Sequence, residues 1–159
     1  MDIYNRELAV DYARRWWDAR NPAFPSFTND CTNFISQCLL AGQLPMEFSI
    51  YRNQGWWINS ERSNWSFSWS VSHSLRWYLL SSGRGIEVGS VYDLTLGDII
   101  FYDFNGDGTI QHSTIITSVI DGEPYIHAHT SDSEDRHWLY ENSTAYTPNI
   151  RYYFMKIVK

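Results

Sequence analysis

The sequence predicts an α+β domain, because helical periodicity fills its first half and extended runs bounded by turn signals fill its second half. The extended runs are separated by the turn signals NGDG and DGEP, which favour antiparallel hairpins. A length of 159 residues suits one core, so we expect a single domain over residues 1–159. Aromatic residues form 17% of the chain, which indicates an aromatic core, a groove that grips flat or sugar-like ligands, or both.

Two helices are predicted before residue 45. The segment from Tyr4 to Arg20 carries apolar residues at helical spacing and is followed by the stop signal Asn21-Pro22. The second helix begins next to Asp30, a favoured N-cap residue type, and Gly42 follows its end. The predicted buried face of this second helix consists of Cys31, Phe34, Ile35, Cys38 and Leu39.

A long loop is predicted over residues 45–69, which have no clean period. A third helix is expected from about Trp69 to Ser82, ending at Gly83. Its predicted inward residues are Val71, Leu75, Tyr78 and Leu79. Four tryptophans of the loop region either line a cleft or pack in the core, and the sequence leaves both readings open. They are Trp56, Trp57, Trp65 and Trp69.

Four strands are predicted in the second half of the chain. Their sequences are GDIIFYDF, HSTIITSVI, YIHAHTS and IRYYFMKIV. A residue at the start of a strand is held rigidly and can face a neighbouring helix end, which matters for the histidines considered below.

Composition argues against several classes of partner. The net charge is −6 and no basic run is present, so we expect no nucleic-acid binding. No apolar run approaches the roughly 20 residues that span a bilayer, so no membrane insertion is expected. The opening MDIYNRELAV shows no secretory signal. The oligomeric state is not predicted.

The two cysteines are predicted to remain free. Cys31 and Cys38 lie seven residues apart on the second predicted helix, which separates them by about 10.5 Å along the axis. A disulfide needs Cα atoms within about 7 Å, so the pair cannot bridge. Cys38 lies mid-helix and is predicted to be core packing.

Cys31 begins the second predicted helix, where unpaired N–H groups and the helix dipole favour a thiolate. An imidazole would complete the activation. His112 opens a predicted strand, and His127 and His129 alternate along the next strand, where one of them is placed to orient the His112 ring. From the residues alone, a lone helix cysteine is more often packing and a lone strand histidine more often structural.

Three motifs in order resemble one family. DCTNFISQ, GDIIFYDFNGDGTIQHSTIIT and YIHAHTSD resemble the putative amidase domain, which is similar to papain-like cysteine hydrolases of the NlpC/P60 and CHAP kinds. YNRELAVDYARRWW also resembles the first helix of that family, so the resemblance runs from about Tyr4 to Asp132. It implies a papain-like fold with helices packed on an antiparallel sheet, and a secreted or cell-envelope location.

The resemblance also implies site residues. Cys31 would be the nucleophile, His112 the general base, and a polar residue on the following strand would orient the base. The amidase motif assigns that third role to His129, whereas the NlpC/P60 pattern assigns it to His127; we favour His129. Asn33 and Gln37 are expected to brace the helix start and the site wall.

No metal or cofactor is expected. DFNGDG, Asp103 to Gly108, fits the start of a calcium loop, but position 12 is Thr114 rather than an acidic ligand, so a hairpin turn is the better interpretation. Cys31, His112 and His129 would suit zinc. A thiolate–imidazole pair explains the first two residues without a metal.

Three functions follow as hypotheses. The first is a cysteine-dependent hydrolase of an amide bond, with peptidoglycan or a peptide as substrate. The second is a non-catalytic cell-wall or carbohydrate-binding module, motivated by the aromatic content. The third is a glutamine deamidase or transglutaminase-like enzyme acting on protein, because a Cys-His pair supports the same chemistry there.

Overall fold

The fold is α+β, with four α-helices and an open sheet of six antiparallel strands in the residues that the structure describes. The computed structural model describes residues 3–159, so Met1 and Asp2 of the predicted domain lie outside it. The helices are α1 Arg6–Trp16, α2 Cys31–Ala41, α3 Phe67–Ser70 and α4 Ser72–Ser82. The strands are β1 Gly85–Val88, β2 Ile99–Asp103, β3 His112–Ile120, β4 Glu123–Ala128, β5 Ser133–His137 and β6 Arg151–Ile157.

Helix α1 is shorter than predicted at both ends. The Asn5 side chain caps it by accepting a hydrogen bond from the Leu8 N–H at 3.0 Å, and the helix ends at Trp16, four residues before Arg20. Leu8 is one of the regularly spaced apolar residues on which this helix was predicted, but it is 41% exposed. The buried residues of α1 are Ala9, Val10 and Ala13.

Helix α2 confirms the predicted boundaries, with Asp30 at the N-cap and Gly42 at the C-cap. Every residue from Cys31 to Leu39 is buried, so this helix forms the centre of the helical layer. Both cysteines are free, and Cys38 lies fully buried in the core, as predicted. Burial raises the pKa of the Cys38 thiol well above its usual range, which keeps it protonated.

The third predicted helix is two helices. Val71 is extended, with φ −122° and ψ 121°, and it separates α3 from α4. It is exposed, contrary to the prediction, whereas Leu75, Tyr78 and Leu79 point inward as predicted. The interruption matters for the site, because α4 begins anew at Ser72, whose hydroxyl lies 3.7 Å from the Cys31 sulfur.

The sheet has the strand order β1-β6-β2-β3-β4-β5. The predicted NGDG and DGEP turns join β2 to β3 and β3 to β4 as antiparallel neighbours. Two strands were not predicted: β1 has only four residues, and β5 reads SEDRH, which lacks the apolar alternation that marks a strand. No helix within residues 3–159 has the length and apolar character needed to cross a membrane.

Each face of the sheet carries its own apolar cluster. On the helical side, Ile99, Phe101 and Ile115 pack with residues of the helices, including Phe34. On the other side, Ile100, Tyr102 and Ile116 pack in a second cluster that includes Tyr140. Successive strand residues alternate between the two clusters, so the parity of a residue in its strand decides which cluster it joins.

Candidate active site

Cys31 occupies the first position of α2, and its sulfur has polar neighbours. The thiol donates to Asn29 Oδ1 at 3.5 Å and lies 3.7 Å from the hydroxyls of Thr32 and Ser72. The residue is 3% exposed. The first-turn N–H groups of a helix have no acceptor within the helix, and its dipole favours an anion at this end.

Three hydroxyl groups connect the start of α2 to the start of β3. Thr32 and Ser72 approach to 2.5 Å, and each hydroxyl reaches Ser113, at 3.4 Å from Thr32 and 3.2 Å from Ser72. Thr32 directly follows Cys31, and Ser113 directly follows His112. These contacts therefore fix the backbone that carries the cysteine against the backbone that carries the histidine, as expected for two predicted site residues.

The environment of Cys31 favours a thiolate. Burial raises the pKa of the thiol, but a hydrogen bond with His112, the charge of that ring, and hydrogen bonds from Thr32 and Ser72 lower it more. The result is a pKa lowered to about 6. At neutral pH the thiol is then mostly ionised beside the His112 ring, which is the arrangement of an activated cysteine nucleophile.

His112 begins β3 opposite Tyr102 and is 3% exposed. Its Nε2 lies 2.9 Å from the hydroxyl of Tyr140, a residue that sequence reasoning did not single out. The rings of Tyr102, Phe104 and Tyr140 lie around the imidazole, with centroids 5.2 to 5.9 Å away. The ring is thus held in an aromatic pocket with one polar partner at Nε2.

His129 lies elsewhere in the site. Its Nδ1 is 2.6 Å from Asp30 Oδ2, its Nε2 is 2.6 Å from the Trp16 carbonyl oxygen, and its ring stacks on Phe34 with centroids 4.0 Å apart. The predicted contact with His112 is not present in the described chain; His129 instead binds the residue that precedes the cysteine.

Strand parity explains this difference. His127 pairs with Ile115, and residues directly opposed in an antiparallel pair share a face of the sheet. His112 is three residues before Ile115 and so projects from the opposite face. His127 therefore does not reach His112 either: its Nδ1 contacts the Thr117 hydroxyl at 2.6 Å, and burial lowers its pKa to about 4.

Asp30 and Asn33 brace the loop before the cysteine. Asp30 accepts hydrogen bonds from the Phe27 N–H and from Asn33, both at 2.9 Å, and its own N–H donates to the Thr130 hydroxyl at 3.0 Å. Asn33 also donates to the carbonyl of Pro25. Gln37 accepts from the hydroxyl of Tyr12. The contacts of Asn33 agree with its expected role at the helix start, whereas Gln37 binds Tyr12 of α1 instead.

The DFNGDG segment is a tight turn, and the carboxylate of its first residue, Asp103, accepts hydrogen bonds from backbone N–H groups of the turn. Asp103 Oδ1 accepts the N–H groups of Gly106 and Asp107, and Oδ2 accepts that of Gly108 at 2.7 Å. Both carboxylate oxygens thus stabilise the loop. Within residues 3–159, no three His, Cys, Asp or Glu side chains are grouped to hold a metal ion.

The tryptophans of the long loop belong mainly to the core. Trp56, Trp57 and Trp69 are at most 2% exposed, and Trp56 stacks on Trp69 with centroids 5.3 Å apart. Trp65 is partly buried against Phe27. A cleft of about 580 Å³ does lie between this loop and α4, where the exposed Trp77 lines it, but neither Cys31 nor His112 reaches that cleft.

Comparisons with known proteins agree with the motif resemblance. A family described as "Putative amidase domain" matches residues 3–155. "Uncharacterized protein YhbB" of Bacillus subtilis (strain 168) is 49% identical over 159 residues, which are 98% of this chain and 50% of that protein. "Uncharacterized protein YjcM" of the same organism is 29% identical over 143 residues, 81% of this chain and 31% of that protein. The chain thus spans about half or less of these relatives, and no solved structure matches it.

Proposed function

The chain belongs to the putative amidase domain family, and from this premise we propose that it hydrolyses amide bonds with Cys31 as nucleophile and His112 as general base. The observation that carries the proposal is the environment of Cys31: a cysteine at a helix N-terminus, tied through Thr32, Ser72 and Ser113 to the histidine strand, with a thiol pKa lowered to about 6.

The proposed mechanism has two steps. The Cys31 thiolate attacks the carbonyl carbon, and N–H groups of the first turn of α2 hold the oxyanion. The imidazolium of His112 gives its proton to the leaving amine as the C–N bond breaks, which leaves a thioester on the sulfur. His112 then takes a proton from water, the hydroxide attacks the thioester, and the acid product departs as the thiolate re-forms.

The finer assignments belong to the same proposal. The proposed frame is that of the papain-like hydrolases, and what supports it is the motif resemblance together with a cysteine-first helix packed on an antiparallel sheet whose strand begins with the histidine. Peptidoglycan is the proposed substrate and the cell envelope the proposed location, on the motif resemblance. His129 is assigned a structural role, because its Nδ1 contacts Asp30 and its Nε2 contacts the Trp16 carbonyl oxygen.

Mass spectrometry of purified peptidoglycan digested by the wild type, Cys31→Ala and Cys38→Ala tests this proposal. The wild type and Cys38→Ala should release the same fragments, because Cys38 lies in the core away from the site, whereas Cys31→Ala should release none. Circular dichroism shows whether both variants fold. Fragment release by folded Cys31→Ala would refute the nucleophile.

Two other outcomes would redirect the function. Ammonia release from a protein substrate, with cell walls untouched, would point to a deamidase that uses the same pair. Binding to walls without released amino groups would point to a binding module. Because Cys31 is 3% exposed, alkylation of the folded protein by iodoacetamide reports in addition whether small molecules reach its sulfur.

A further inference from the structure

Tyr140 lies outside every strand, yet its hydroxyl is the hydrogen-bond partner of His112 Nε2, 2.9 Å away. The phenol is 3% exposed. The other tyrosine hydroxyl of this cluster that lies near His112, that of Tyr102, donates to the Trp138 carbonyl at 2.8 Å rather than to the imidazole. The Nε2 side of the His112 ring therefore faces Tyr140 in a water-poor pocket, where a hydrogen bond is worth more than on the surface.

The backbone holds Tyr140 in this position despite an unfavourable conformation. Its φ is +62°, in the left-handed region that bulky residues seldom adopt. The Tyr140 N–H donates to the His137 carbonyl at 3.3 Å, and its own carbonyl accepts from the Ser143 N–H at 2.9 Å. Strained residues persist where the surroundings determine them and are concentrated at functional sites.

The ring is held as firmly as the backbone. The guanidinium of Arg136 lies over the Tyr140 ring, 4.0 Å from its centroid, and the Tyr102 ring lies 4.9 Å away on a different plane. A cation over an aromatic face attracts the ring and fixes its plane. The hydroxyl oxygen is thereby held 2.9 Å from His112 Nε2, with the side chains of Ser133 and Arg136 as further hydrogen-bonding neighbours.

We propose, resting on the function proposed above, that Tyr140 is the positioning residue of the site and fixes the tautomer of His112. Its oxygen accepts the Nε2–H hydrogen, so Nδ1 is the nitrogen that serves Cys31 as base and then as acid. This is the role that strand order suggested for His129 and that the geometry gives to a residue from the loop after β5.

The choice of a phenol has a chemical consequence. Burial raises the pKa of Tyr140, so the group stays neutral over the range in which Cys31 titrates. A neutral acceptor stabilises the imidazolium of His112 less than a carboxylate does, but it adds no second anion beside the thiolate. Tyr140 thus orients the imidazole and supports its charge without opposing the charge on sulfur.

Tyr140→Phe tests the proposal, because it keeps the ring and removes only the oxygen. The pH dependence of Cys31 alkylation by iodoacetamide is measured beside peptidoglycan hydrolysis. The Nε2–H group then lies buried without a partner, so the alkylation inflection should move up by about one pH unit. The kcat should fall about 10- to 100-fold, as when the outer partner of a functional histidine is removed.

Tyr152→Phe is the matched control. It removes a hydroxyl from the same aromatic cluster, one that donates to the Leu139 carbonyl at 2.6 Å and does not contact His112. Its alkylation inflection should stay at the wild-type value. An unchanged inflection and unchanged kcat in folded Tyr140→Phe would overturn the proposal.

A measurement on the wild type removes any dependence on folding of the variant. At a pH where the His112 ring is neutral, its ¹⁵N chemical shifts should show a protonated Nε2 and a bare Nδ1, and the opposite tautomer would overturn the assignment. The proposal that Cys31 is the nucleophile and the proposal that Tyr140 positions His112 can be refuted independently. Hydrolysis by Cys31→Ala would reject the nucleophile while the alkylation profile still reports on Tyr140, and Cys31-dependent hydrolysis with normal Tyr140→Phe kinetics would reject only the positioning role.

Discussion

Replacement of His129 by Ala is expected to destabilise the fold by removing one partner of a buried ion pair. Asp30 and His129 are 1% and 2% exposed, and they are joined at 2.6 Å. The substitution leaves the Asp30 carboxylate buried with Asn33, the Phe27 N–H and, at 3.5 Å, Arg20 as its remaining partners. Loss of one member of such a pair typically costs about 3–5 kcal/mol.

That cost is a large share of the stability of a domain of this size, which is about 5–15 kcal/mol. Urea unfolding followed by tryptophan fluorescence measures it directly. His137→Ala is the matched control, since His137 also binds a carboxylate, Glu123 at 2.8 Å, but both side chains are about one-third exposed. An exposed pair contributes about 0–1 kcal/mol. Equal losses in the two variants would refute the reasoning.

The pH dependence gives a second measurement of the same pair. Burial raises the pKa of Asp30, but hydrogen bonds from His129, Asn33 and the Phe27 N–H, with the charge of His129, lower it below its ordinary value. A depressed carboxyl pKa stabilises the fold above the unfolded value of about 3.9, and this contribution is lost as the pH falls through the folded value. The acid-dependent loss of stability should therefore be smaller in His129→Ala than in the wild type.

Three further predictions concern the thiols, a loop and the turn after β2. Iodoacetamide should modify Cys31 with an inflection near pH 6, in line with its lowered pKa, and leave Cys38 unreacted until the protein unfolds; mass mapping that finds Cys38 modified first would contradict this. Gly55→Ala should lower the melting temperature more than Gly122→Ala: both positions have positive φ, but a Cβ added at Gly55 would clash with the Glu47 carbonyl oxygen, whereas one added at Gly122 would meet nothing within 4 Å. Calcium should leave the melting temperature unchanged, because the Asp103 oxygens already accept three N–H groups; a calcium-dependent rise would show a site.

Local chemistry made much of the fold predictable. Helix α2 has an N-cap residue type at one end and glycine at the other, and the predicted ends of this helix match those in the structure. The NGDG and DGEP turns likewise gave the two hairpins. Tertiary contacts decided the remainder: β5 is almost entirely polar and pairs only because β4 offers it an edge, which no pattern within SEDRH reveals.

Those residues of the candidate site that stand at the start of a helix or strand could be placed from the sequence. Cys31 begins α2 and His112 begins β3, so each could be placed from its own neighbourhood. The partner of His112 could not, because choosing it required the register of β3 against β4 and the path of the loop after β5. A tyrosine in a left-handed conformation has no signature in the sequence.

The site contains two buried histidines because the start of α2 carries two acidic groups on consecutive residues. Asp30 and Cys31 both occupy the end of the helix where the dipole favours negative charge. Their side chains face different partners: Asp30 is bound by His129 and Asn33, whereas Cys31 is stabilised by His112 and by the hydroxyls of Thr32 and Ser72. Each acidic group thus has its own imidazole partner, so the carboxylate that fixes the loop before the helix is bound separately from the thiol that the proposed mechanism uses. In that proposal, the division leaves His112 to serve Cys31, with the neutral Tyr140 hydroxyl as its orienting partner.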